Sequence, residues 1–211
     1  MNGLPGAYIG IYKRYASKCF PLPEIAVYKS SGYKCYYMPR FYAGHITCIG
    51  EKYMINGHFY FVQDSFYDAL PDCNLMSNKG HGIPGIGGRP CHYCFQYEEY
   101  YWMVPISSKT QKYHLIYNNK VAKRGYCDTI RFGYVNGDER VFLIQNCFPI
   151  SQNFIDSEYK VNKNTIPVTV TKELENELNG LLRKVIRLYK KGINMPLTKL
   201  DEIISYLEKN K

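Results

Sequence analysis

Ser107, Ser108 and Lys109 follow the aromatic, apolar run Tyr100-Tyr101-Trp102-Met103-Val104-Pro105-Ile106, and Lys112, Tyr113 and His114 come just after. Two hydroxyls and a fixed cation thus stand where a strand gives out, and rigid scaffolds present chemistry at such places. Hydroxyl and cationic donors suit a phosphate group that gains negative charge during a reaction. Arg89, at the end of a glycine-rich loop over residues 77 to 90, supplies a guanidinium of the same use. Phosphodiester cleavage of RNA asks for this set. The substrate carries its own nucleophile, the 2′-hydroxyl, so the protein must align that oxygen, stabilise the phosphorane and help the 5′ oxygen leave. Lysine, arginine and hydroxyl donors can do so without a metal.

Other chemistries fit these residues less well. The glycine-rich loop lacks a Walker lysine, and its Gly85-Ile86-Gly87-Gly88-Arg89 order does not make the GxGxxG pattern of dinucleotide sites. No histidine stands in a recognisable triad motif with Ser107 or Ser108. Of the cysteines Cys19, Cys35, Cys48, Cys73, Cys91, Cys94, Cys127 and Cys147, only Cys91 and Cys94 form a CxxC. No second pair completes a tetrahedral site, so neither a metal nor another cofactor is expected. Free thiols in a reducing cytosol, several packed as small apolar groups, account for them better.

The elements that must position these groups begin near Met54. His58 to Val62 reads as a strand, and Ser65 to Leu70 as a short helix before Pro71. Cys91 to Gln96 and Tyr100 to Ile106 read as paired strands around Tyr97-Glu98-Glu99. Asn136-Gly137 lies between the β-rich runs Cys127–Val135 and Val141–Asn146, a strong hairpin signal because a type I′ turn needs positive φ at both central residues. Ile166 to Val170 offers one more strand. Leu174, Leu178, Leu181, Leu182, Val185 and Tyr189 then recur at helical spacing up to Gly192. Thr198 with Asp201 resembles a capping box that opens a last helix through Leu207. The expected fold is α+β, a mostly antiparallel sheet with helices clustered at the carboxyl end.

The chain of 211 residues carries a net charge of +9 with 22 tyrosines and 10 phenylalanines. Basic charge interleaved with aromatic rings suits single-stranded nucleic acid. Arg183 and Arg187, among the cations on the helix near the carboxyl end, form a phosphate-tracking surface or a plain solvated face. No apolar run approaches membrane-spanning length and no signal peptide is evident, so a cytoplasmic location without membrane contact is expected.

Residues 1 to 53 read differently from the rest. They hold seven lysines and arginines against Glu24 and Glu51, with little helical periodicity and no sustained strand alternation. Ile11-Tyr12-Lys13 with Lys18-Cys19-Phe20 recurs sixteen residues later as Val27-Tyr28-Lys29 with Lys34-Cys35-Tyr36.

From Met54 onward the chain resembles the toxins of type III toxin–antitoxin systems, the ToxN/AbiQ superfamily, and most closely its CptN-like branch. The resemblance is carried by Ile55 to Phe61, Asn74-Leu75-Met76, Asn78-Lys79 and Gly88-Arg89-Pro90. It continues through Tyr101 to Lys109, Lys112-Tyr113, Cys127 to Ile130 and Phe142 to Ile150. What the resemblance implies is a compact, twisted β-core related to the MazF-like barrel, with peripheral helices. It further implies a metal-independent endoribonuclease that leaves 2′,3′-cyclic phosphate and 5′-hydroxyl ends. Its partners would be cellular or phage RNA substrates and a small antitoxin RNA of pseudoknot repeats, held in a hetero-oligomeric protein–RNA assembly.

By that resemblance the paired catalytic hydroxyls are Ser107 and Ser108, and the following lysine is Lys109 or Lys112. A family cation maps onto Arg89. A family tyrosine falls at Phe66 or Tyr67, and the expected RNA-binding set is Lys79, Tyr67, Tyr113, Gln145, Asn146, Arg183 and Arg187. Gln145 and Asn146 suit either the substrate groove or support of the core.

Members of the family begin near Met54, and their antitoxin repeats lie just upstream of the toxin gene. A sixteen-residue echo matches a repeat of roughly 48 nucleotides, so residues 1 to 53 are expected to be read-through of antitoxin repeats or a basic RNA-binding extension. Residues 54 to 211 form the expected nuclease domain. The competing functional expectation is a non-catalytic RNA-binding or translational-control protein.

Overall fold

A computed structural model of the chain describes residues 26–30, 33–37, 54–78, 88–162 and 165–210. Its contacts divide the chain into two units, Met1–Met54 and Ile55–Lys211. In the first unit β1 (Ala26–Ser30) pairs antiparallel with β2 (Tyr33–Tyr37), with Tyr28 opposite Cys35. The sequence shows no sustained alternation there. Two short runs holding Val27, Tyr28, Tyr33, Tyr36 and Tyr37 nevertheless suffice for a hairpin, because β-branched and aromatic residues favour the pleated backbone.

The second unit is built on an antiparallel sheet. In chain order its first elements are β3 (Phe59–Val62), helix α1 (Asp64–Asp68), β4 (Cys91–Tyr97), β5 (Tyr100–Ser107) and helix α2 (Thr110–Arg124). They are followed by β6 (Arg131–Val135), β7 (Asp138–Phe142), β8 (Phe148–Ile150), β9 (Ile155–Glu158) and a small hairpin of β10 (Lys160–Val161) with β11 (Ile166–Pro167). Helices α3 (Lys172–Tyr189) and α4 (Leu200–Lys209) end the chain. The strand order is β6-β7-β5-β4-β3-β9, with β8 on β5, and the path does not close on itself. The fold is therefore α+β with a mostly antiparallel, open sheet. None of the described helices is long and apolar enough to cross a membrane.

Both predicted hairpins form, and their turns show why. Glu98 (φ 54°) lets β4 and β5 join through two residues, with Tyr97 opposite Tyr100. Asn136 (φ 54°) and Gly137 (φ 83°) give the type I′ geometry between β6 and β7, closing Val135 against Asp138. The second arm is shorter than expected. β7 ends at Phe142, Leu143 donates its N–H to the Pro105 carbonyl (3.1 Å), and Ile144–Asn146 forms a 3-10 turn.

Pro105 does not end β5. It sits where one edge of β5 changes partner, from β8 at Tyr101–Met103 to β7 at Ile106–Ser107. At that junction its missing N–H leaves no gap in either ladder.

The segment after Ser108, for which the sequence suggests no regular element, is helix α2. Its single buried residue is Tyr113, which packs with Cys127, Ile130, Val141 and Leu143. Gly125 (φ 78°) stops it in the left-handed conformation, donating to the Val121 carbonyl at 2.7 Å. The helix near the carboxyl end forms as the spacing predicts, buries Leu178, Leu182, Val185 and Ile186, and is capped by Thr171 Oγ1. The predicted capping box at Thr198 does not form. The Thr198 hydroxyl is buried and donates to the Cys147 carbonyl (2.7 Å), and α4 opens at Lys199 without a side-chain cap.

Candidate active site

The β6–β7 hairpin is longer than its pairing with β5, which is limited to Val141 and Phe142. Its tip therefore projects past the end of β5, where the chain leaves the sheet for α2. A cleft of about 240 Å³ lies in the angle so made, lined by Gly88, Arg89, Pro90, Ile106, Ser108, Val135, Asn136, Asp138, Arg140 and Tyr159. Four chain segments far apart in sequence meet there.

Arg89 is its most constrained cation, only 5% exposed. Nε donates to the Ser77 carbonyl (3.1 Å) and Nη1 to the Ile106 carbonyl (2.6 Å). Its backbone N–H donates to Asn78 Oδ1 (2.5 Å), while Asn78 Nδ2 donates to Asp64 Oδ1 (2.6 Å). Gly88 makes this possible, because a Cβ there would collide with the Asn78 side chain. No described carboxylate pairs with Arg89, and Nη2 has no described protein partner. A buried guanidinium whose described hydrogen-bond partners are neutral carbonyls favours an anion beside it.

The paired serines have different surroundings. Ser108 is exposed and lines the cleft. Ser107 is buried, stands opposite Val141, and its Oγ accepts the Lys109 N–H (3.2 Å) at the entry to α2. Side chains alternate across a strand, so Ser107 shares the face packed beneath α2 while Ile106 and Ser108 share the cleft face.

Lys109 and Lys112 are exposed at the start of α2 and are not among the cleft-lining residues. The Lys112 ammonium lies 5.6 Å from the centroid of the Tyr113 ring. Tyr113 itself is a core residue under α2.

The remaining predicted residues are dispersed. Tyr67 is half-buried behind Arg89, its hydroxyl 4.0 Å from Cys91 Sγ and its pKa raised above the ordinary value, first by burial. Gln145 accepts a hydrogen bond from Lys120 Nζ (2.8 Å), which also donates to Thr129 Oγ1 (2.8 Å); these contacts support the loop before β6. Asn146 is buried in the 3-10 turn.

Arg183 lies over the Phe95 ring at 4.4 Å, toward the β4–β5 turn and so away from the cleft end of β4. Arg187 is exposed one turn further along α3. Lys79 and most of the glycine-rich loop lie outside the described residues. Of the predicted set, the structure brings Arg89 and Ser108 into one cleft.

Sequence reasoning missed Arg140, Asp138, Asn136 and Tyr159. Arg140 Nη2 donates to Asp138 Oδ2 (2.6 Å) two positions along the same strand face. The Asn-Gly turn with acidic and basic residues at alternate positions behind it was the available signal. Nothing near Tyr159 in the chain pointed to the cleft.

Two of the described thiols do not suit nucleophilic chemistry. Cys91 and Cys147 are fully buried, and burial pushes both up to about 12. His92 is buried too, and desolvation, reinforced by the nearby His58 charge, lowers its pKa to about 3. It packs against Phe59 and Phe142, at ring-centroid distances of 5.2 and 5.7 Å. Among the described residues no three His, Cys, Asp or Glu side chains converge as metal ligands.

An open antiparallel α+β scaffold with a two-arginine cleft at a strand end describes the class of site. No protein-family model matches the chain, and no curated protein matches it.

Proposed function

We propose that the Ile55–Lys211 unit is a metal-independent endoribonuclease that binds the scissile phosphate in the Arg89 cleft. The observation that carries this reading is the buried guanidinium of Arg89, paired with no described carboxylate, in one cleft with Arg140 and the exposed Ser108. A phosphodiester enters the reaction with one negative charge and reaches two in the phosphorane. Fixed donors aimed at that charge stabilise the transition state more than the ground state. The 2′ oxygen forms a bond to phosphorus as the bond to the 5′ oxygen breaks, leaving a 2′,3′-cyclic phosphate and a 5′-hydroxyl without consuming water.

Together with the resemblance in the sequence, this supports a toxin of a type III toxin–antitoxin system. Its cleft would be filled and silenced by a repeated pseudoknot RNA within a protein–RNA assembly in the cytoplasm. A core of the MazF-like type belongs to the same reading, with the described sheet open between β6 and β9. Lys109 and Lys112, at the mouth of α2, would meet the flanking phosphates of a bound strand.

A second reading, RNA binding without cleavage, is favoured by one observation. No imidazole is among the described residues lining the cleft, and Asp138 there is held by Arg140. Incubating purified protein with RNA in EDTA separates the two. Cleavage with cyclic-phosphate ends supports the nuclease, and tight binding without cleavage by folded protein supports the second reading.

A further inference from the structure

We propose that Asp138 is the general base of the cleft and that Arg140 holds it out of use until RNA arrives. The inference rests on the nuclease reading and identifies the proton acceptor that this reading lacks.

Among the described residues lining the cleft, Asp138 is the only carboxylate. It stands directly after the Asn136-Gly137 turn, and the register of Val135 against Asp138 fixes its place on the strand. Asp138 and Arg140 lie two residues apart on one face of β7, so a phosphate that reaches Arg140 arrives beside Asp138 as well. Their ion pair measures 2.6 Å, but Asp138 is 66% exposed and Arg140 29%. A pair so open to water is worth little and exchanges partners readily.

Phosphate is the stronger partner for Arg140 because guanidinium meets it through parallel, charge-assisted bonds. Arg89 contributes a second cation that Asp138 does not engage. When a phosphodiester takes Arg140, Asp138 is released at the moment the substrate's 2′-hydroxyl is in place. The carboxylate accepts the 2′ proton, the 2′ oxygen bonds to phosphorus, and the 5′ oxygen departs with a proton from solvent water. Net charge and proton count balance across the step. Tying the base to the same arginine that binds the phosphate would make an empty cleft a poor base.

The test compares the full-length wild-type chain with Asp138→Asn and Asp138→Glu. Single-turnover cleavage of a defined RNA is measured in EDTA across pH, and affinity is measured with the same RNA in all-2′-deoxy form. The expected result is a loss of about 10²–10⁴-fold in the Asp138→Asn cleavage rate, with the acid limb of the pH–rate profile abolished. Affinity for the deoxy strand should stay the same or rise, since the competitor for Arg140 is gone. Asp138→Glu, which restores a carboxylate in a hairpin open to solvent, should recover part of the rate and the acid limb. Cleavage by Asp138→Asn within about threefold of wild type, with an unchanged pH profile, overturns the assignment of the base but leaves the nuclease reading intact. Failure of the wild-type chain to cleave overturns the nuclease reading itself.

Discussion

Replacing His92 with leucine is expected to make the protein more stable, by an amount that grows as the pH falls. The imidazole is fully buried on β4, between Phe59 and Phe142, and neither Nδ1 nor Nε2 has a hydrogen-bond partner. A buried polar group left without a partner costs about 1–3 kcal/mol, and leucine of similar volume removes it.

The pH dependence follows from the folded pKa of about 3 against an ordinary value of 6.5. A histidine depressed in this way leaves stability intact above pH 6.5. Below it the unfolded chain takes up a proton that the folded chain refuses, and stability is lost until the folded pKa is reached. The slope is about 1.4 kcal/mol per pH unit, so wild type should lose about 2 kcal/mol between pH 7.5 and 5 from this residue alone.

Urea unfolding of both proteins at pH 7.5, 6 and 5 measures the difference directly. The variant should be more stable by about 1–3 kcal/mol at pH 7.5, with the gap wider by about 2 kcal/mol at pH 5. Parallel loss of stability in the two proteins would refute the reasoning, because His92 would then be solvated or hydrogen-bonded.

Two further outcomes test the supports around the site. Thr198→Val keeps the side-chain shape but strands the Cys147 carbonyl, so urea unfolding should show a loss of about 1–3 kcal/mol. Glu158 is buried enough for desolvation to raise its pKa, yet hydrogen bonds from His58 (2.5 Å) and Lys160 outweigh that and hold it below the ordinary value. Its stabilisation is therefore present above the ordinary carboxylate range and lost as pH falls through the folded pKa. Glu158→Gln should be less stable than wild type at neutral pH, and thermal melts should show the two converging in acid.

The parts of the fold that sequence makes legible are those with local causes. Asn136-Gly137 can hardly do anything but turn, and the leucines from Leu174 to Leu182 define one helix face. Helix α2 was hidden because its only buried residue is Tyr113 and the paired asparagines Asn118 and Asn119 weaken the pattern; contact with the β6–β7 side of the sheet fixes it. The run from Val141 to Asn146 is buried nearly throughout, so apolarity could not show where the strand stops and the 3-10 turn begins.

The site was legible by halves. Arg89 and Ser108 could be chosen for their chemistry, but Ser107 was separated from its neighbour by strand alternation, which turns adjacent side chains to opposite faces. Asp138, Arg140 and Tyr159 join the cleft through sheet pairing over long sequence separations, and no local pattern encodes such pairing.

The most direct test of the central claim is single-turnover cleavage in EDTA of an RNA with and without one 2′-deoxynucleotide at the scissile position, by wild type and Arg89→Lys. Wild type should cut the all-ribose strand to a 2′,3′-cyclic phosphate and spare the substituted bond. Lysine's compact ammonium lacks the planar fork that bonds the Ser77 and Ile106 carbonyls through separate nitrogens while facing a phosphate, so Arg89→Lys should lose about 10²–10³-fold in rate. Cleavage of the deoxy-substituted bond, or full activity in Arg89→Lys, would contradict a 2′-hydroxyl mechanism centred on the Arg89 cleft.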